Sequence, residues 1–215
     1  MMTDSLIFYT NPMSRGRIVR WMLEEVGHPY RTELLDYGTT MKAPVYLAVN
    51  PMGKVPAIRH GETVVTECAA ICAYLADAFP ESGLAPPHAS PSRGAYYRWL
   101  FFAAGPIESA ASNKALGFVV PDGRQVMVGY GSFADVMSVL EGAVSQGDYL
   151  LGDRFSAADV YLGSQIGFGM MFGTIEKRPA FEQYWARISQ RPAAQRAREI
   201  DDALAAEQKK AASAS

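Results

Sequence analysis

A mixed α/β domain followed by an all-helical domain is the fold class this sequence predicts, and three observations predict it. Short apolar runs near residues 6–9 and 57–65 alternate with helical patterns only in the first third of the chain. The segment GLAPPHASPS at 83–92 then interrupts the pattern with three prolines and no apolar periodicity. Beyond it the strand signals stop and the periodic segments have helical spacing.

Taken in order, residues 6–9 are a strand candidate, and Ile18, Val19, Met22, Leu23 and Val26 recur at helical spacing until Gly27 ends the helix. Residues 30–35 can form the next strand. Met52-Gly53 is a turn, and Ala57-Ile58 with Thr63-Val64-Val65 flank His60-Gly61 as a hairpin. A helix follows over residues 68–79. Strand, helix, strand, hairpin and helix is the order of a thioredoxin-type domain, in which a parallel pair and an antiparallel hairpin share one sheet. This N-terminal thioredoxin-like domain is expected at residues 1–82, a linker at 83–92, where Ser90-Pro91 can start a helix, and a C-terminal helical bundle domain at 93–215. Helices are expected at 92–117, 125–146, 157–172, 180–190 and 193–208. The tail AAEQKKAASAS has no apolar face to bury and is expected to fray.

Composition narrows the function classes. The 215 residues are 49% apolar, with 20 Lys+Arg against 22 Asp+Glu and a net charge of −2. The basic footprint of a nucleic-acid binder is missing. The start MMTDSLIFYTNP lacks the basic and long apolar regions of a signal peptide, so a cytoplasmic location is expected. Residues 163–173 form the most membrane-like stretch, well short of the roughly 20 residues a spanning helix needs, so no membrane partner is expected. Cys68 and Cys72, four apart in a helical pattern, are read as reduced thiols. His28, His60 and His88 fall in turns or linker and offer no third ligand, so no metal is expected.

Three places carry chemistry. Ser14 stands where the first strand gives way to the first helix; its hydroxyl is either a plain N-cap or a donor to a bound thiol sulfur, stabilising the nucleophilic thiolate. In Asn50-Pro-Met-Gly-Lys-Val-Pro-Ala-Ile58, the Val55-Pro56 pair opens a strand after a glycine turn. That proline is either an ordinary trans residue at a strand start, or a cis one that leaves the Val55 N–H and C=O free for an extended peptide. Glu67 and Cys68 open the third helical pattern, as a dipole-favourable acid or as a clamp: Glu67 takes an ammonium while the helix N-terminus takes a carboxylate. Arg15, Arg17, Arg20, Lys42 and Lys54 are candidates for a terminal carboxylate or for solvated surface charge. Phe155-Ser156-Ala-Ala-Asp159 fits a capping box with a structural role.

Together YTNPMSRGRIVRWMLEEVG at 9–27, NPMGKVPAI at 50–58, TECAAICAYLAD at 66–77, DRFSAADV at 153–160 and YWARISQRPA at 184–193 resemble the cytosolic glutathione S-transferase family, over nearly the whole chain. The resemblance implies a transferase that holds glutathione as co-substrate, with the cysteinyl group paired to the Val55 backbone beside a cis Pro56 and the γ-glutamyl end on Glu67 and residue 68. The family usually has Ser or Thr where this chain has Cys68, which implies a weaker contact there. Two residues match the family's thiol activators: Tyr9, by gapless alignment to the tyrosine classes, and Ser14, by a one-residue adjustment to the serine classes. Ser14 is favoured because the helix dipole assists the thiolate. The resemblance further implies conjugation to a small hydrophobic electrophile lying against the helical domain, among Tyr96, Tyr97, Trp99, Phe101 and Phe102, a homodimer, and a role in detoxification. A glutathione-dependent isomerase, dehalogenase or reductase, or a non-catalytic interaction module of the same fold, are the alternatives.

Overall fold

The strands β1 (Leu6–Thr10), β2 (Arg31–Leu34), β3 (Ala57–His60) and β4 (Thr63–Thr66) form one sheet in the order β2-β1-β3-β4. In this computed structural model, which describes residues 5–214, β1 is parallel to β2 and antiparallel to β3. Phe8 lies opposite both Thr32 and Ile58. β3 and β4 make the expected hairpin, with Ile58 opposite Val65. α1 (Gly16–Val26) links β1 to β2, the single turn α2 (Pro44–Leu47) precedes β3, and α3 (Cys68–Ala78) follows β4. Of the periodic apolar residues of α1, Ile18, Val19, Met22 and Leu23 are buried and Val26 is half-buried; on α3, Ile71, Cys72 and Leu75 are buried, Tyr74 is half-buried and Ala70 is exposed. At the start of α1, a Cβ on Gly16 would fall 1.9 Å from Thr10 Oγ1, so only glycine lets the helix begin against the end of β1.

The chain divides into two compact units, Met1–Ser82 with Arg191–Ser215, and Gly83–Gln190. The second contains α4 (Ser92–Phe102), α5 (Glu108–Ala115), α6 (Phe133–Val144), α7 (Ala157–Phe172) and α8 (Pro179–Ser189). The single helix expected at 92–117 is instead two, joined by a π turn over Ala103–Ile107 that contains Pro106. Proline has no N–H and crowds the carbonyl four residues back, and the wider turn accommodates both. The helix expected from residue 125 begins only at Phe133, after Gly129 and a left-handed Gly131. Ser132 caps it by accepting the Asp135 N–H at 3.0 Å. α7 is the buried axis of this unit. Added Cβ atoms on its Gly163 and Gly167 would come within 2.1 Å of Ile188 and 2.7 Å of Trp185, so these glycines seat α8 directly on α7.

The last helix, α9 (Pro192–Ala214), belongs to the first unit, where the sequence placed it in the second domain. Polar partners on α1 hold it, which apolar periodicity cannot reveal: Arg20 Nε meets Asp201 Oδ1 at 3.2 Å, both side chains buried. Arg191 grips both Glu25 oxygens at 2.7 and 2.8 Å. The tail expected to fray is helical through Ala214, because its Ala, Glu, Gln and Lys residues are strong helix formers that need no apolar stripe. Ser215 and the first four residues, on which the leader reading partly rested, lie outside the described residues. Among the described residues no helix is long and apolar enough to cross a membrane.

Candidate functional site

Residues 11–15 turn the chain from β1 into α1, and Asn11 organises them. Its buried side chain accepts the Met13 N–H at 2.9 Å and donates to the Leu35 carbonyl of the neighbouring strand end at 2.8 Å. Its own carbonyl accepts the Ser14 N–H at 3.0 Å and the Ser14 hydroxyl at 2.6 Å. The Ser14 oxygen in turn accepts the Gly16 N–H at 2.9 Å. Ser14 therefore sits at the positive end of α1, with its one proton on Asn11 and a lone pair on the helix. From the other side, Arg17 Nε donates to the Pro12 carbonyl at 2.6 Å and Arg17 Nη1 to Asp202 Oδ1 at 2.7 Å.

A second turn leads into β3. Asn50 accepts the Met52 N–H at 3.1 Å and donates to the Lys54 carbonyl at 2.7 Å; the Tyr46 hydroxyl donates to the same carbonyl at 2.6 Å. Burial pushes the Tyr46 phenol up to about 12, so it stays a donor. Gly53 turns the chain at φ 56°, and a Cβ there would meet the Met41 carbonyl at 2.7 Å. The Val55-Pro56 bond is cis, as the resemblance implied. Among the described residues the Val55 N–H and C=O pair with no other group.

The third piece is the start of α3. Glu67, exposed, is the one non-glycine described residue in the left-handed region, at φ 68°, a conformation that costs on the order of 1–3 kcal/mol. The Glu67 side chain does not cap the helix there, so the N–H groups of its first turn point toward the helix start without that carboxylate on them. The Cys68 thiol donates to the Arg15 carbonyl at 3.7 Å and joins the starts of α1 and α3. Two positive helix ends thus meet, an arrangement that favours an anion. One turn on, burial pushes the Cys72 thiol well above its ordinary value, which keeps it protonated and unreactive.

The remaining sequence candidates fall elsewhere. Arg20 is buried against Asp201, Tyr30 and Thr32, so it is a structural cation and not a ligand for a carboxylate. Lys42 donates to the Met52 carbonyl at 2.9 Å, and Lys54 is exposed beside the same turn. Tyr9 is half-buried with its ring 5.6 Å from that of Tyr46, in an apolar cluster with Met41, Ala57 and Val55. In the helical unit Tyr96 is wholly buried core, Phe101 is 72% exposed, and Trp99 lines a cleft of about 460 Å³ with Arg98, Gln146 and Tyr149. Among the described residues no group of three or more His, Cys, Asp or Glu side chains could hold a metal ion.

Sequence reasoning missed Asn11 and Asn50, and a signal for both was present. Asn-Pro-Met occurs at 11–13 and again at 50–52, and each copy folds into the same Asx turn: side-chain oxygen to the Met N–H, side-chain nitrogen to a backbone carbonyl.

Two family models match the chain: glutathione S-transferase, N-terminal domain, over residues 13–78, and glutathione S-transferase, C-terminal domain, over residues 114–192. Glutathione S-transferase F9 of Arabidopsis thaliana is 30% identical over 169 residues, covering 71% of this chain and 76% of that protein. A glutathione transferase structure from Methylococcus capsulatus str. Bath matches with a TM-score of 0.77 at 30% identity, over 92% of this chain and 98% of that one. A sphingomonad glutathione S-transferase complexed with glutathione matches with a TM-score of 0.74 at 28% identity, over 91% and 98% of the two chains.

Proposed function

Because the chain belongs to the glutathione S-transferase family, we propose that it activates the glutathione thiol through Ser14 and transfers the thiolate to a small apolar electrophile. The observation that carries this reading is the Ser14 hydroxyl at the N-terminus of α1, with the Gly16 N–H already on its oxygen. Glutathione lies extended, its cysteinyl amide on the open Val55 N–H and C=O beside Pro56. The γ-glutamyl ammonium meets Glu67, and its carboxylate meets the N-terminal end of α3 at Cys68, which Glu67 does not cap. Lys42 and Lys54 serve the glycyl carboxylate.

To act, the Ser14 hydroxyl rotates away from the Asn11 carbonyl, which keeps the Ser14 N–H, and donates to sulfur. Stabilising the thiolate in this way lowers the thiol pKa, each unit corresponding to about 1.4 kcal/mol. The thiolate then attacks the electrophilic carbon; with a halogenated nitroarene the S–C bond forms, the C–halogen bond breaks, halide leaves, and the thiol proton passes to solvent. Tyr9 is the weaker activator because its ring is engaged with Tyr46 in the apolar cluster. A homodimer, a cytoplasmic location and detoxification as the physiological role are part of the same proposal.

Ser14→Ala and Tyr9→Phe distinguish the two activators when conjugation of glutathione to a halogenated nitroarene is measured across pH. Ser14→Ala is expected to lower kcat by roughly a hundredfold, in line with loss of a positioned transition-state donor, and to raise the acid-side midpoint of the pH profile. A larger loss in Tyr9→Phe overturns the assignment.

A further inference from the structure

We infer that Arg17 is a positioning residue for the Ser14 turn and that Asp202, on the last helix, holds Arg17 in place; this rests on the reading of Ser14 as thiol activator. The peptide that joins Pro12 to Met13 is held at both of its polar atoms. Its carbonyl accepts Arg17 Nε at 2.6 Å, and its N–H donates to Asn11 Oδ1 at 2.9 Å. The next N–H, that of Ser14, is on the Asn11 carbonyl at 3.0 Å. The position of the Ser14 Cα is therefore set by two side chains, Asn11 from the strand and Arg17 from the helix.

Arg17 does not hold itself. Its Nη1 lies 2.7 Å from Asp202 Oδ1, and its side chain is 23% exposed. A guanidinium presents donors in a fixed plane, so fixing one nitrogen on Asp202 aims another at Pro12. A lysine has a single ammonium on a flexible stem and lacks that rigid fork. The pair spans 185 positions of sequence and ties α9 to the turn within one unit.

The strap matters most during the reaction. When the Ser14 hydroxyl turns to sulfur, the Asn11 carbonyl loses its 2.6 Å partner and the turn loses one of its ties. The Arg17 tie does not involve the hydroxyl and persists. A misplacement of about 1 Å at a reacting group can cost roughly a hundredfold in rate, so a tie that survives the switch keeps Ser14 aimed.

The test compares Arg17→Gln, Arg17→Lys, Asp202→Asn, Ser14→Ala and the Ser14→Ala/Arg17→Gln double variant for kcat against pH, KM for glutathione and melting temperature. Arg17→Gln is expected to lower kcat roughly tenfold and shift the acid-side midpoint upward, with Asp202→Asn shifting it less in the same direction and Arg17→Lys falling between wild type and Arg17→Gln. In the double variant kcat is expected to stay within about twofold of Ser14→Ala alone, because a turn with no hydroxyl gains nothing from being aimed. A lowered melting temperature with an unmoved midpoint in Arg17→Gln, or losses that multiply in the double variant, overturns the positioning role. Ser14→Ala at wild-type activity overturns the Ser14 reading itself, whereas a crippled Ser14→Ala beside an unshifted Arg17→Gln overturns only the role of Arg17.

Discussion

The Tyr184 hydroxyl donates to Asp159 Oδ1 at 2.8 Å, and this contact fastens α8 to the first turn of α7. The same oxygen accepts the Leu150 N–H at 2.8 Å, while Oδ2 accepts the Ser156 N–H at 2.9 Å and the Ser156 hydroxyl at 3.0 Å. Asp159 is wholly buried. Asp159→Ala strands several buried donors at once and is expected to cost about 3 kcal/mol or more, and Tyr184→Phe about 1 kcal/mol. Urea midpoints at unchanged m-value measure both. An Asp159→Ala protein with a wild-type midpoint contradicts the capping account.

Asp201 carries a pH prediction. Burial raises its carboxyl above the ordinary range, and the Arg20 charge pulls it back only in part. A carboxyl whose folded pKa lies above its unfolded value binds protons more readily in the native state. Its contribution is full below the unfolded value of about 3.9 and is lost as pH rises through the folded value. Wild type is expected to lose stability relative to Asp201→Asn as pH rises across that window, measured by denaturant titration at several pH values. The opposite slope, with wild type gaining on the variant as pH rises, contradicts the assignment.

Gly53 tests the turn that presents Val55. An alanine there combines φ 56° with a Cβ 2.7 Å from the Met41 carbonyl. Gly53→Ala is expected to destabilise the protein by about 1–3 kcal/mol and to raise KM for glutathione more than it lowers kcat. Steady-state kinetics with varied glutathione supply the comparison, and an unchanged KM separates this turn from the binding site.

Cys68→Ser replaces a weak donor with a strong one at the start of α3. Glutathione affinity is expected to rise by about 1 kcal/mol or less, read by calorimetric titration. Equal or weaker binding shows that the side chain at position 68 does not touch the γ-glutamyl group.

The elements that apolar periodicity controls were legible in the sequence. The boundaries of α1 follow from Ile18, Leu23 and Gly27, and those of the hairpin from Ile58, Gly61 and Val65. The cis Pro56 was legible only through the family resemblance, since nothing in the local residues separates it from a trans proline. What escaped was decided by polar groups acting at a distance. Arg20 reads as a surface charge until Asp201, on the other end of the chain, buries it. Arg17 reads the same way until Pro12 and Asp202 claim two of its three side-chain nitrogens. The break at Pro106 turned on a single residue whose effect on a helix, a stop or a wide turn, depends on the packing around it.

The membership of α9 in the first unit also orders events on the ribosome. Synthesis proceeds at about 5–20 residues per second, and domains fold as units as they emerge. The segment that carries Ser14, Val55 and Glu67 leaves the ribosome early, but the partner that buries Arg20 is Asp201, made only after the whole of Gly83–Gln190. Until then the Arg20 guanidinium lacks its carboxylate partner and stays open to water. The first unit is complete only when the last helix, made after the whole second unit, packs on α1.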